Sequence, residues 1–245
     1  MKLYKKAKLF AKKYLRKCGF SFTRLSPTTD PIEQLIRAME HFSINLVFDI
    51  GANEGQFASD LISSGFKGRI VSFEPLAAAH SQLVKNAINS KNWLVHDRTA
   101  IGDFDGDITF NVSANSVSSS ALPILESHTS AESKSKYVDS VTVPISCLDS
   151  IFGNYFIDGD KALIKIDTQG FESKVLDGGE NAINSAKCIL CELSLIPLYQ
   201  DQHLWQEIID RLEKINYLVW AIQRGFTDRL TGRTMQVNGL FAKIG

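Results

Sequence analysis

Four acidic residues stand at the ends of apolar runs, an arrangement that places them together at one edge of an α/β sheet. Val47-Phe48-Asp49-Ile50 runs into Gly51-Ala52-Asn53-Glu54-Gly55-Gln56-Phe57, a tight glycine turn opening a helix. Arg69-Ile70-Val71-Ser72-Phe73 ends in Glu74-Pro75, Ala162-Leu163-Ile164-Lys165-Ile166 in Asp167, and Cys188-Ile189-Leu190-Cys191 in Glu192. Ligands of open α/β sheets sit outside such strand ends, where glycines and helix-opening amides let a bound molecule approach the backbone. A pyrophosphate-binding turn would read G-x-G-x-x-G, whereas this one is Gly51-x-x-x-Gly55 with Asp49 ahead of it and Glu54 inside it. Two carboxylates there suit a ligand with a cationic amino group and a cationic sulfur, which describes S-adenosylmethionine. Asp49, Gly51, Asn53, Glu54, Gly55 and Phe57 are the candidate cofactor residues of the turn, and Glu74 is placed to accept both ribose hydroxyls.

Like charges in one crevice raise each other's pKa and need a compensating partner. Lys165 and a cationic ligand would serve, as would a divalent cation such as Mg²⁺ held between Asp167 and Glu192. The other use of such an acid is as a general base taking a hydroxyl proton. Asp167 is the first candidate, with Glu192 assisting and Lys165 beside them. The purely structural alternative has Asp167 capping the next helix and Glu172 complementing its dipole.

Those residues need elements to carry them. Strand signals fall near 45–50, 69–74, 92–97, 162–167 and 187–193, and helical spacing near 55–64, 76–89, 171–184 and 202–215. Alternation of this kind predicts a parallel sheet covered on both faces by helices. Asp30 is placed as N-cap, and Pro31 as first residue, of a further helix over 31–39. The end differs, because residues 217–222 and 235–243 read as consecutive strands of a terminal antiparallel hairpin.

A polar insert separates the third and fourth parallel strands. Asp105-Gly106 is a turn signal between Ile101 and Ile108-Thr109-Phe110-Asn111-Val112 and predicts a short hairpin. Residues 113–136, opening with Ser113-Ala114-Asn115-Ser116-Val117-Ser118-Ser119-Ser120, form either a lid on the ligand side or a disordered loop. Val141-Thr142-Val143-Pro144-Ile145 then reads as a strand added to the sheet edge.

At 245 residues the chain suits one α/β domain over 30–245 with an appendage over 1–29. Its 27 basic and 27 acidic side chains cancel, yet residues 1–29 hold nine basic groups and no acid, leaving 18 basic against 27 acidic beyond them. On a helix, Leu3, Tyr4, Ala7, Phe10, Ala11, Tyr14, Leu15 and Cys18 form one apolar stripe opposite the lysines. Residues 2–18 therefore suit an anionic membrane surface, or packing on the domain or on a partner subunit, which leaves an oligomer open. Without a membrane-spanning run or a secretion signal, the expected location is cytoplasmic, or peripheral at the inner face of the membrane. No nucleic-acid partner is expected. Cys188 and Cys191, three apart on a strand, face opposite ways and read as buried structural cysteines, not as half a zinc site.

Taken together, these pieces resemble the FkbM family of S-adenosylmethionine-dependent methyltransferases. The resemblance is carried by Phe48-Asp49-Ile50-Gly51-Ala52-Asn53-Glu54-Gly55, Phe73-Glu74-Pro75, Ala100-Ile101-Gly102-Asp103 ahead of Gly106, Leu148-Asp149, Lys165-Ile166-Asp167-Thr168-Gln169-Gly170-Phe171-Glu172, and Leu190-Cys191-Glu192. It covers about residues 44–195 and implies a class I methyltransferase (Rossmann-like) fold, an open, mostly parallel sheet with a C-terminal antiparallel hairpin. The activity it implies is usually O-methylation, often of sugar hydroxyls in glycans or glycosylated metabolites. Within that fold the backbone near Ala100 would flank the adenine. Many members carry an acid where this chain has Gln169. The rivals are an NAD-dependent oxidoreductase, which shares the first strand, the turn and Glu74, and a noncatalytic membrane-peripheral module that keeps the cofactor pocket.

Overall fold

The computed structural model describes residues 13–20 and 23–244. A seven-stranded sheet is built from β1 (Leu46–Ile50), β2 (Arg69–Phe73), β3 (Trp93–Val95), β7 (Ala162–Ile166), β8 (Cys188–Ser194), β9 (Tyr217–Arg224) and β10 (Gln236–Lys243). Its order is β3-β2-β1-β7-β8-β10-β9. The first five of these strands are parallel, while β10 runs antiparallel between β8 and β9. This is the class I methyltransferase arrangement with its closing hairpin.

β1 and β7 are buried at every position, as strands covered on both faces must be. Phe48 and Ile50 face one apolar layer with Ile164 and Cys191, and Val47 faces the other with Leu163 and Cys188. The two cysteines thus occupy opposite faces of the sheet, as the spacing on a strand requires. α1 (Pro31–His41), α2 (Gln56–Ser63) and α3 (Ala77–Ala87) cover the second layer. α5 (Leu148–Phe152), α6 (Glu172–Asp177), α7 (Glu180–Ser185) and α8 (Trp205–Glu213) cover the first. α1 begins as its sequence predicts, with Pro31 in its first turn and the Asp30 carboxylate accepting the Glu33 amide at 2.9 Å.

Three sequence expectations need correction. The Asp105-Gly106 turn joins no hairpin, because β4 (Ala100–Gly102) and β5 (Gly106–Ser113) lie on opposite sides of β6 (Tyr137–Cys147). Asp105 instead accepts hydrogen bonds from the Cys147 amide and the Ser150 hydroxyl at the start of α5. The strand expected at the edge of the main sheet is the middle strand of this separate three-stranded sheet. The helix expected over 171–184 is broken at Gly178 and Gly179 into α6 and α7. A Cβ on Gly178 would stand 1.8 Å from the Gly102 carbonyl oxygen, so the chain passes there only as glycine.

Residues 13–17 are helical and Tyr14 is exposed. The rest of the amphipathic segment expected over 2–18 lies outside the described residues. Among the described residues no helix is long and apolar enough to cross a membrane.

Candidate active site

Gly51 and Gly55 both take left-handed backbone, but for different neighbours. A Cβ on Gly51 would stand 1.9 Å from the Asp167 carbonyl oxygen, so the turn after β1 lies against the turn after β7 only because residue 51 has no side chain. A Cβ on Gly55 would meet the Trp93 ring at 2.5 Å and Leu83 at 2.7 Å. Gly55 therefore seats α2 against α3 and β3 and does not serve the ligand directly.

Beside this turn lies a cavity of about 340 Å³, within the range of small-ligand sites. Gly51, Asn53, Phe57, Glu74, Ala100 and Asp167 line it, together with Leu35 of α1 and Ser116 and Val117 of the polar insert. Glu74 is buried, with Oε2 accepting the Asn53 amide at 2.9 Å and Oε1 the Leu76 amide at 2.8 Å. Burial pushes its pKa up to about 7, the two amides and Lys165 opposing the shift. An acid held at the tip of β2 and a close-approaching glycine turn fit a ribose-bearing, cationic cofactor.

Pairing register explains the charges beneath the cavity. Asp49 lies beside Lys165 of β7 on one flank and Ser72 of β2 on the other. Its Oδ2 accepts from Ser72 at 3.1 Å, and its Oδ1, which lacks a directed hydrogen bond, sits 3.1 Å from Lys165 Nζ. Lys165 also donates to the Gly51 carbonyl at 2.9 Å and lies 3.6 Å from Asp167. Burial acts to lower the Lys165 pKa, but Asp49 and Asp167 outweigh it and hold the group above its ordinary value. Lys165 is thus a fixed cation and not a base.

Gln169 connects the remaining acids. Held at φ 56°, it donates through Nε2 to Asp167 Oδ1 and to Glu192 Oε2, both at 2.9 Å. Its Oε1 faces the Tyr199 hydroxyl at 2.9 Å, which sets the amide's orientation. Gln236 adds a second amide donor to Glu192 Oε2 at 2.7 Å, and Glu192 Oε1 has no hydrogen bond among the described residues. Burial, then the charges of Asp167 and Glu172, push the Glu192 pKa well up. Glu172 does more than complement a helix dipole: its Oε1 accepts from the Thr168 and Gly170 amides, shaping the turn that presents Gln169.

A divalent cation needs several hard oxygen ligands around one point. Among the described residues no group of three or more His, Cys, Asp or Glu offers one. The place between Asp167 and Glu192 is filled by an amide NH₂, a donor that no cation accepts as a ligand, so the expected Mg²⁺ position does not fit.

A second cavity, of about 690 Å³, opens on the far side of Gln169. It shares Val117, Gln169 and Arg224 with the first, and adds Glu192, Gln236, Phe226 and His128. Its walls are α4 (Glu126–Ala131) and the connection between β9 and β10. Asp167 thus faces the first cavity and Glu192 the second.

Residues 49–219 match the model of the methyltransferase FkbM domain. The chain belongs to the FkbM methyltransferase family. No curated protein matches it. Similar solved structures include PH1948 of Pyrococcus horikoshii, at 11% identity and TM-score 0.47, with 88% of this chain and 84% of that one covered. An rRNA methylase from Streptococcus thermophilus matches at 9% identity and TM-score 0.45, covering 91% and 100%. Sp1610 of Streptococcus pneumoniae, solved in complex with S-adenosyl-L-methionine, matches at 10% identity and TM-score 0.44, covering 84% and 72%.

Of the FkbM-type residues named from sequence, Gly51, Asn53, Phe57, Glu74, Ala100, Lys165 and Asp167 line the first cavity. Asp49 lies behind its wall, fully buried and paired with Lys165, and Glu54 is exposed outside it. Ser116 and Val117 put the polar insert on the cavity side of the sheet. Sequence reasoning gave no role to Leu35, Gln236 or Phe226. The first had its helix but no site signal, and the last two belong to the hairpin, where local pattern marks only strands.

Proposed function

We propose that this FkbM-family chain transfers a methyl group from S-adenosylmethionine to a hydroxyl oxygen, that of a sugar in a glycan or glycosylated metabolite. The observation that carries the reading is Glu192, which lines the second cavity beside Gln169, with an Oε1 that no protein group engages among the described residues and a raised proton affinity. Bound S-adenosylmethionine supplies an electrophilic methyl: the acceptor oxygen bonds to carbon as the carbon–sulfur bond breaks, its electron pair passing to sulfur and the hydroxyl proton to a carboxylate. Because such a displacement is in-line, most of the protein's contribution is orientation and exclusion of water.

Glu192 is the proton acceptor in this reading, in place of Asp167. The Asp167 carboxylate is engaged by Lys165 and Gln169, whereas Glu192 has an unused oxygen, and its burial raises its proton affinity. Lys165 and Asp49 hold the β1 and β7 ends in register, and Glu74 orients the ribose. Incubation with radiolabelled S-adenosylmethionine and glycan extracts tests the reading, with mass spectrometry locating the methyl group. An O-methyl sugar is the expected product; label on nitrogen or carbon of every acceptor overturns it.

A further inference from the structure

We propose that the second cavity is the acceptor site and that it binds a single neutral sugar ring, seated on Phe226 with its hydroxyls directed to His128 and Glu192. The assignment rests on the reaction proposed above and adds where the acceptor sits and what recognises it.

Continuity is the first argument. The two cavities share Val117, Gln169 and Arg224 in their walls, so a molecule in the second lies next to the first with the Gln169 side chain between them, and Glu192 faces it there. The second argument is an unsatisfied group. His128 is 3% exposed, lines this cavity, and has an Nδ1 with no partner among the described residues. Such a group costs stability unless a ligand or water completes it. Burial holds the imidazole pKa down at about 4, so at neutral pH the ring offers one donor and one acceptor and no charge.

The third argument is the mixture of surfaces. The Phe226 ring lies 5.3 Å from the His128 ring and is only partly buried, giving an apolar face beside polar atoms. A pyranose has the matching form, with C–H groups on one face and hydroxyls at its rim that both donate and accept. Three acids (Glu132, Glu192, Asp228) against two arginines (Arg224, Arg229) offer no net positive field to a polyanion.

The test is saturation-transfer NMR on the full chain with S-adenosylhomocysteine present, using the methyl glycosides of glucose, galactose, mannose and rhamnose as probes. At least one should bind the native chain, and Phe226→Ala and His128→Ala should each weaken it tenfold or more. Phe226 is partly exposed, so its variant keeps the test valid if His128→Ala unfolds. S-adenosylhomocysteine affinity should stay within twofold in Phe226→Ala. Absence of binding by any glycoside, or binding unchanged in a folded Phe226→Ala, overturns the site. A single-stranded RNA that binds instead, and is lost in the variant, overturns the sugar. Loss of S-adenosylhomocysteine binding by the native chain would instead sink the methyltransfer reading itself, which separates the two failures.

Discussion

Strand ends build most of the first cavity, with Ser116 and Val117 of the polar insert among its lining, whereas its neighbour is walled mainly by that insert, α4 and the β9–β10 connection. Around the first, the acids are fixed from within the protein: Asp49, behind its wall, by Lys165 and Ser72 through the sheet register, and Glu74 by the Asn53 and Leu76 amides. In the second, His128 keeps an unpartnered nitrogen and Glu192 an unused oxygen. Groups satisfied within the protein hold a shape, and groups left open await a ligand. The division matches the separation of a shared donor from a variable acceptor, with rigid elements for one and loops for the other.

The sharpest way to break this comparison is at the open carboxylate of the second cavity. Glu192→Gln keeps the volume and the amide contacts of the wall but removes the base. We expect kcat to fall by about 10² to 10⁴, the usual worth of general-base catalysis, with S-adenosylhomocysteine affinity unchanged by calorimetry. The native acid limb of the pH–rate profile should lie above the ordinary carboxylate range, since the Glu192 pKa is raised, and should vanish in the variant. A variant as active as the native chain would return the base to Asp167.

Gly51→Val attacks the rigid side alone. Its Cβ would overlap the Asp167 carbonyl, and a β-branched residue is strained at φ 75°. Loss of about 3 kcal/mol in denaturant unfolding and abolished cofactor binding are expected. Thr227→Ala, in the hairpin connection, should stay within about 0.5 kcal/mol of native stability, as surface changes usually do. Equal losses in the two would dissolve the distinction between the cavities.

The same contrast explains what could be read in the chain. Val47–Gly51 and residues 162–167 show strand, turn and acid in one local pattern, so the sheet and the meeting of Gly51, Glu74 and Asp167 at one cavity were legible. Asp49 and Glu54 misled because residue type alone does not tell which way a side chain points: register buries Asp49 under Lys165, and the turn points Glu54 outward. The second cavity gathers His128, Glu192 and Phe226 from distant segments, and no local spacing encodes that meeting. The splitting of the helix at Gly178 likewise depends on a carbonyl 76 positions earlier in the chain, at Gly102.

Gln169→Glu sharpens the comparison from the other direction, since it would convert the amide bridge into a third carboxylate between Asp167 and Glu192. Replacing two donated hydrogen bonds by repulsion should cost about 2 kcal/mol in metal-free buffer. Millimolar Mn²⁺ should raise the unfolding midpoint of the variant and leave that of the native chain unchanged, because only the variant gathers three acidic oxygens. A native chain stabilised as strongly would restore the cation to this site.

The smallest expected effect is a pH dependence confined to the first cavity, if it holds the cofactor as proposed. The Glu74 pKa is raised from 4.5 to about 7 by burial, so the protonated form favours folding. Its contribution to stability is fully present below pH 4.5 and declines as pH rises through about 7. Binding runs the opposite way, because only the ionised carboxylate accepts both ribose hydroxyls fully. S-adenosylhomocysteine affinity should therefore rise about tenfold, or 1.4 kcal/mol, between pH 6 and pH 8. Glu74→Gln should flatten that rise while keeping one amide contact, whereas Glu74→Ala should weaken binding by about 1 to 3 kcal/mol at every pH. His128 titrates near pH 4 and Glu192, with its raised pKa, is the other acid facing the sugar, so glycoside binding to Glu192→Gln should stay level over the same interval. If both ligands tightened together, the two cavities would be coupled through Gln169 and would not act as independent sites.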